Sequence, residues 1–113
     1  MSLIFKLSEV LLKKFKIRKS KISGKGVFAK DNINKNSVIG LGFKKIKNTK
    51  NPDEDYTRTN LGKYINHSKK PNVKLLKLNN KFFIISIKEI AKNNELFIDY
   101  DSFPWEGKRE KDF

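Results

Sequence analysis

Gly62-Lys63-Tyr64-Ile65-Asn66-His67-Ser68-Lys69-Lys70-Pro71-Asn72 holds the only histidine of the chain inside its least helix-like run. Gly62, Pro71 and the polar Asn66, Ser68 and Asn72, set between apolar flanks, read as a packed loop joining two elements. Asn, His and Ser side chains each reach nearby backbone groups, so one reading is a loop pinned by its own side chains. The other is a binding site, and the segments on either side bear on the choice.

Downstream, residues 73–78 and 81–87 read as two strands joined at Asn79-Asn80, a turn where asparagine tolerates positive φ. Phe82, Phe83, Ile84 and Ile85 are an unbroken apolar run, which places that strand in the interior with both faces covered. Residues 87–100 then give a strand end, a polar turn and a closing strand, Glu95-Leu96-Phe97-Ile98-Asp99-Tyr100. The same plan occurs upstream, where Asp31 to Ser37 form a polar turn that leads into Val38-Ile39.

Further upstream, Phe15, Lys16, Ile17 and Arg18 alternate as a strand does, and residues 20–26 read as a turn into Val27-Phe28-Ala29. Gly24 and Gly26 allow a tight turn and close approach to a ligand, though a hairpin turn alone also explains them. No helix follows, so they are not a dinucleotide fingerprint. Residues 40–60, with Gly40, Gly42, Pro52 and the acidic trio Asp53, Glu54 and Asp55, read as loop without a convincing helix. Residues 3–15 place Ile4, Leu7, Leu11, Leu12 and Phe15 on one helical face, which predicts a short amphipathic helix that docks on the domain or forms a dimer contact.

At 113 residues the chain is one domain, divided as a helical extension over 1–15 and a folded unit over 16–113. Such a chain buries only about two-thirds of its unfolded surface, so the core is small. The hydrophobic fraction of 37% and nine Phe are globular rather than disordered composition. There is no cysteine, which excludes disulfides and thiolate-bound zinc, and with one histidine no metal site is expected. Charges interrupt the apolar N-terminal run too early for a signal peptide or a membrane span. An intracellular, soluble protein of cytoplasm or nucleus, with no membrane partner, is the expectation. The net charge of +14 suggests nucleic acid or another anionic partner. It comes from 23 Lys and only 3 Arg scattered along the chain, and forked arginine is the better phosphate ligand, so nucleic acid is weakly supported.

Tyr64-Ile65-Asn66-His67-Ser68-x-x-Pro71-Asn72 resembles the Asn-His-Ser signature of SET-domain protein lysine methyltransferases. Glu95-Leu96-Phe97-Ile98-Asp99-Tyr100 is similar to their second signature, which closes on a catalytic tyrosine. The Gly24-x-Gly26 turn resembles the opening of the domain, and the three pieces occur in family order over residues 17–105. The short 40–60 segment resembles the minimal members found in viruses and bacteria. The resemblance implies a mainly β fold (β-clip) of short strands in small sheets, with a threaded C-terminal segment that brings the two signatures together.

It also implies S-adenosylmethionine as cofactor and a protein with an accessible lysine as substrate. By analogy Ser23, Lys25 and Gly26 line the cofactor pocket, Asn66 bonds the cofactor ammonium through its amide oxygen, and His67 holds adenine through its backbone. Tyr100 orients the lysine amine and the methyl group. Trp105, beside Phe103, either covers the adenine or completes the lysine channel, or else anchors the C-terminus on the core. Tyr64, Leu41 and Phe103 are assigned to the channel wall. The sequence departs from the family at Gly40-Leu41, where a Glu-Tyr pair is usual, which implies a roomier channel that permits more than one transfer. It departs also at Lys69, where many members have cysteine, and at Asn94, usually acidic. The alternatives are a basic nucleic-acid-binding module and an inactive interaction module on the same scaffold.

Overall fold

The computed structural model describes residues 13–49 and 51–104. The expected N-terminal helix falls mostly outside them, as does Trp105. Phe15, placed at the end of that helical face, is instead the first residue of a strand. Eight strands are described: β1 (Phe15–Lys19), β2 (Lys25–Ala29), β3 (Val38–Lys45), β4 (Tyr56–Arg58), β5 (Asn66–His67), β6 (Val73–Leu78), β7 (Lys81–Ser86) and β8 (Glu95–Ile98). Between them lie two helices of about one turn, α1 (Pro52–Asp55) and α2 (Asn60–Tyr64), and a 3-10 turn at Tyr100–Ser102 closes the series.

The strands form two sheets, ordered β1-β2-β8-β5 and β4-β3-β7-β6. The mainly β expectation holds, and neither sheet closes into a barrel. Strand β7 lies between β3 and β6, and its Phe82, Ile84, Ile85 and Ser86 are buried, as the unbroken apolar run requires. Its hairpin with β6 turns at Asn79, whose φ of 57° is tolerated by asparagine. The two similar polar turns meet: Ile33 and Ile90 exchange both backbone hydrogen bonds, at 2.8 and 2.9 Å. Asn36 and Asn93, each three residues further on, both adopt positive φ.

Residues 40–60 differ from the loop expected. Strand β3 continues through Gly40 and Gly42 to Lys45, with two register shifts against β7 that absorb the irregularity. The glycines suggested a loop, but their neighbours Ile39 and Phe43 are buried in the core. The histidine stretch also begins as helix. Thr59 caps α2 by accepting the Gly62 N–H at 3.2 Å. Glycine is poor in helices, yet here it is required by packing, since a Cβ at residue 62 would lie 2.2 Å from the Gly42 carbonyl oxygen. The close approach packs α2 directly against β3.

One apolar cluster draws on both sheets, with Val27, Leu96 and Ile98 from the first, Phe43, Val73 and Ile84 from the second, and Leu61 and Ile65 at either end of α2. No helix among the described residues is long and apolar enough to cross a membrane.

Candidate functional site

The two-residue strand β5 runs parallel to β8, pairing Asn66 with Phe97 and His67 with Ile98. So short a pairing needs support, and the flanking residues provide it. Ser68 N–H donates to the Ile98 carbonyl at 3.1 Å. Asn72 clasps β8 with its side-chain amide, accepting the Phe97 N–H at 2.8 Å and donating to the Glu95 carbonyl at 2.9 Å. An amide used this way replaces a missing strand neighbour and satisfies backbone groups that burial would otherwise leave without partners. The local pinning expected of the Asn and Ser residues is present, and it fastens this loop to the C-terminal strand.

Asn66 makes the second connection. Its Nδ2 donates to Glu95 Oε2 at 2.8 Å and to the carbonyl oxygens of Ser23 and Lys25, each at 3.3 Å. The Gly24-x-Gly26 turn is thereby tied to the histidine loop. Gly24 adopts a φ of +43°, and the Ser20 N–H closes the turn on the Gly24 carbonyl at 2.7 Å. Gly26 is buried, whereas Ser23 and Lys25 are exposed at the rim.

Tyr100 makes the third. Asp99 caps the 3-10 turn by accepting the Asp101 N–H at 3.0 Å. The Tyr100 N–H donates to His67 Nδ1 at 3.0 Å, and the two ring centroids are 5.0 Å apart. An accepting Nδ1 places the ring hydrogen on Nε2. The Tyr100 hydroxyl donates to the Ile65 carbonyl at 2.6 Å. With its proton committed there, the phenol oxygen faces any further partner as an acceptor.

Beneath Tyr100 lies Phe103, stacked at 5.1 Å and only 8% exposed. Phe103 also meets Phe43 edge-on at 5.1 Å, so it belongs to the core that supports the tyrosine. Tyr64 is half-buried on the side of the glycine turn, with the ammonium groups of Lys25 and Lys63 over its ring at 5.5 and 5.3 Å. Leu41 lies in β3, paired with Phe83, and lines a cavity of about 370 Å³ with Phe15, Ile39 and Leu61. The structure thus brings together Ser23, Lys25, Gly26, Asn66, His67 and Tyr100. Tyr64 lies beside the glycine turn, Phe103 packs in the core beneath Tyr100, and Leu41 lines the cavity with Phe15, Ile39 and Leu61.

Lys69 pairs with Asp99 at 3.6 Å and with Asp101 at closer range, tying the exit of the histidine loop to the C-terminal turn. The Asp101 hydrogen bond pushes the Lys69 ammonium above its usual value, and the same bond holds the Asp101 carboxyl below the usual carboxylate range. Two residues at the junction have no site role in the sequence reading. Glu95 accepts from Asn66, and Ser20 donates to both Glu95 carboxylate oxygens at 2.9 and 3.0 Å. Glu95 stands in the quoted closing strand, on the face opposite the buried Leu96 and Ile98, which was the available signal.

The family model of the SET domain matches residues 44–101, just over half of the chain. Among solved structures, a candidate histone methyltransferase of Plasmodium falciparum is similar over 85% of this chain and 100% of that one, at 27% identity and a TM-score of 0.67. The methyltransferase domain of human PR domain-containing protein 2 is similar over 80% of this chain and 84% of its own, at 22% identity and a TM-score of 0.56, and shows likeness of fold. No curated protein matches. The chain belongs to the SET domain family.

Proposed function

We propose that the protein is an S-adenosylmethionine-dependent protein lysine N-methyltransferase. The observation that carries this reading is the convergence of the glycine turn, Asn66, His67 and Tyr100 through direct hydrogen bonds. The groups at the rim fit the amino-acid end of that cofactor. Among the described residues no donor reaches Asn66 Oδ1, which suits an ammonium, while the exposed Lys25 suits a carboxylate.

When bound, the cofactor supplies an electropositive methyl group. The residues of the chain have two tasks, alignment and acceptance of a neutral amine. Alignment of reactants is worth about 7–11 kcal/mol. Holding a lysine of pKa about 10.4 neutral near pH 7.4 costs about 4 kcal/mol, which burial beside a positive charge reduces. Tyr100 serves alignment, because a phenol oxygen fixed by its bond to Ile65 accepts an amine N–H or faces an electropositive methyl without reorganising. His67 acts through structure, its Nδ1 holding the Tyr100 backbone, and needs no proton transfer.

The chain carries a net charge of +14, and among the described residues Lys69 is the one lysine in an ion pair, so its surface is predominantly positive. A substrate lysine in a neutral or acidic setting is favoured over a free basic tail. The same surface supports a second reading, a nucleic-acid-binding module on this scaffold. Incubating a cell lysate with the protein and tritiated cofactor distinguishes them. The enzyme labels proteins, acidic ones more than free histone tails, and the Tyr100→Phe variant does not. Absence of label together with steeply salt-dependent oligonucleotide binding, unchanged in Tyr100→Phe, would establish the binder instead.

A further inference from the structure

The side-chain amide of Asn66 is constrained from one side. All three groups that meet its Nδ2 are oxygens, the Ser23 and Lys25 carbonyls at 3.3 Å and Glu95 Oε2 at 2.8 Å. Carbonyls and carboxylates only accept, so a flipped amide would set Oδ1 against three acceptors and lose every bond. Of the three, the carboxylate is nearest and charged, and charge-assisted hydrogen bonds are roughly twice as strong as neutral ones.

The carboxylate is itself held in place. Ser20, 8% exposed, donates to Oε1 at 2.9 Å and Oε2 at 3.0 Å, and its oxygen accepts the Ile22 N–H at 3.0 Å. Gly26 lies directly against it, because a Cβ there would be 2.3 Å from Glu95 Oε2. The carboxylate is therefore fixed under the glycine turn by Ser20, just past the end of β1, together with Gly26 of β2 and Asn66 of β5.

We propose that Glu95, held by Ser20, is a positioning residue that sets the orientation of Asn66 and so aims Oδ1 at the ammonium of the methyl donor. The proposal rests on the donor-binding reading above. Its consequence is selective: recognition of the amino-acid end of the donor depends on Glu95, and recognition of the adenosine end does not. Glu95→Gln tests this at nearly constant shape, because an amide at that position also donates and can bond the Oδ1 of a flipped Asn66.

The experiment is calorimetric titration of the full chain with S-adenosylhomocysteine, which carries the amino-acid end, and with 5′-methylthioadenosine, which lacks it. Glu95→Gln is expected to weaken the first roughly tenfold and to leave the second within about twofold, on the scale of one hydrogen bond to a charged group. Ser20→Ala shifts the first in the same direction by a smaller factor. Loss of both ligands by the same factor, which a merely structural role would produce, overturns the proposal, and so does loss of neither. A wild-type chain that binds neither ligand sinks the donor-binding reading and this proposal with it, and is told apart from a failure of Glu95 by the wild-type titration alone.

Discussion

Gly26→Ala puts the junction under direct mechanical test. The new Cβ would lie 2.3 Å from Glu95 Oε2 and 3.0 Å from Ser20 Cβ, well inside ordinary contact. Either the carboxylate leaves the place where it accepts from Ser20 and Asn66, or β2 bends away from β8. Overpacking costs about 1–3 kcal/mol, and weakened bonds to a charged group cost about 1.5–3 kcal/mol when fully lost. Partial relaxation brings the expected destabilisation to about 2–4 kcal/mol, which lowers the unfolding midpoint by roughly 8–16 °C in a chain of this size. Gly24→Ala is the control, because nothing lies within 4 Å of a Cβ there and its cost is that of a φ of +43° alone, about 1–2 kcal/mol. The decisive comparison is Gly26→Ala in a Glu95→Ala background. With the obstructing carboxylate gone, the penalty falls by about 1 kcal/mol or more, a coupling that urea unfolding of the four proteins measures. Penalties that add within about 0.5 kcal/mol would refute the packing argument.

Other expectations follow from neighbouring contacts. Phe103→Ala removes a buried ring that touches both Tyr100 and Phe43, and should cost about 3–5 kcal/mol in denaturant unfolding while lowering turnover at temperatures where the variant stays folded. His67→Phe keeps ring volume but deletes the acceptor for the Tyr100 N–H, and should destabilise by about 1–2 kcal/mol with parallel loss of methyl transfer. The Lys69 and Asp101 pair should show both limbs of a pH dependence. The depressed Asp101 carboxyl contributes stability above its unfolded value, lost as pH falls through the folded one. The raised Lys69 ammonium contributes below its unfolded value, lost as pH rises through the folded one. Both groups are exposed, so Lys69→Ala should change the midpoint only slightly at neutral pH, and less in high salt, with thermal scans across pH and salt as the check.

The sequence carried the fold where its patterns were local. The apolar run Phe82 to Ile85 marked the interior strand, and the repeated Ile-x-Lys-Asn turns at residues 33–36 and 90–93 marked two elements that pair through Ile33 and Ile90. The glycines misled, for a physical reason. Gly42 and Gly62 read as breakers, whereas they are the contact between β3 and α2, a tertiary requirement that no local window contains. Asn66, His67 and Tyr100 stood out in sequence because their order is distinctive. Glu95 and Ser20 did not, because 75 residues separate them and their joint purpose exists only when β2 has paired with β8 and brought the turn after β1 against Glu95.

Methyl transfer to lysine is tested most directly by amino-acid analysis of protein labelled with the tritiated cofactor. Acid hydrolysates from the wild-type reaction should contain radioactive methyl-lysine, and those from Tyr100→Phe should contain little or none. Label confined to another amino acid, or equal methyl-lysine from both proteins, would contradict the account.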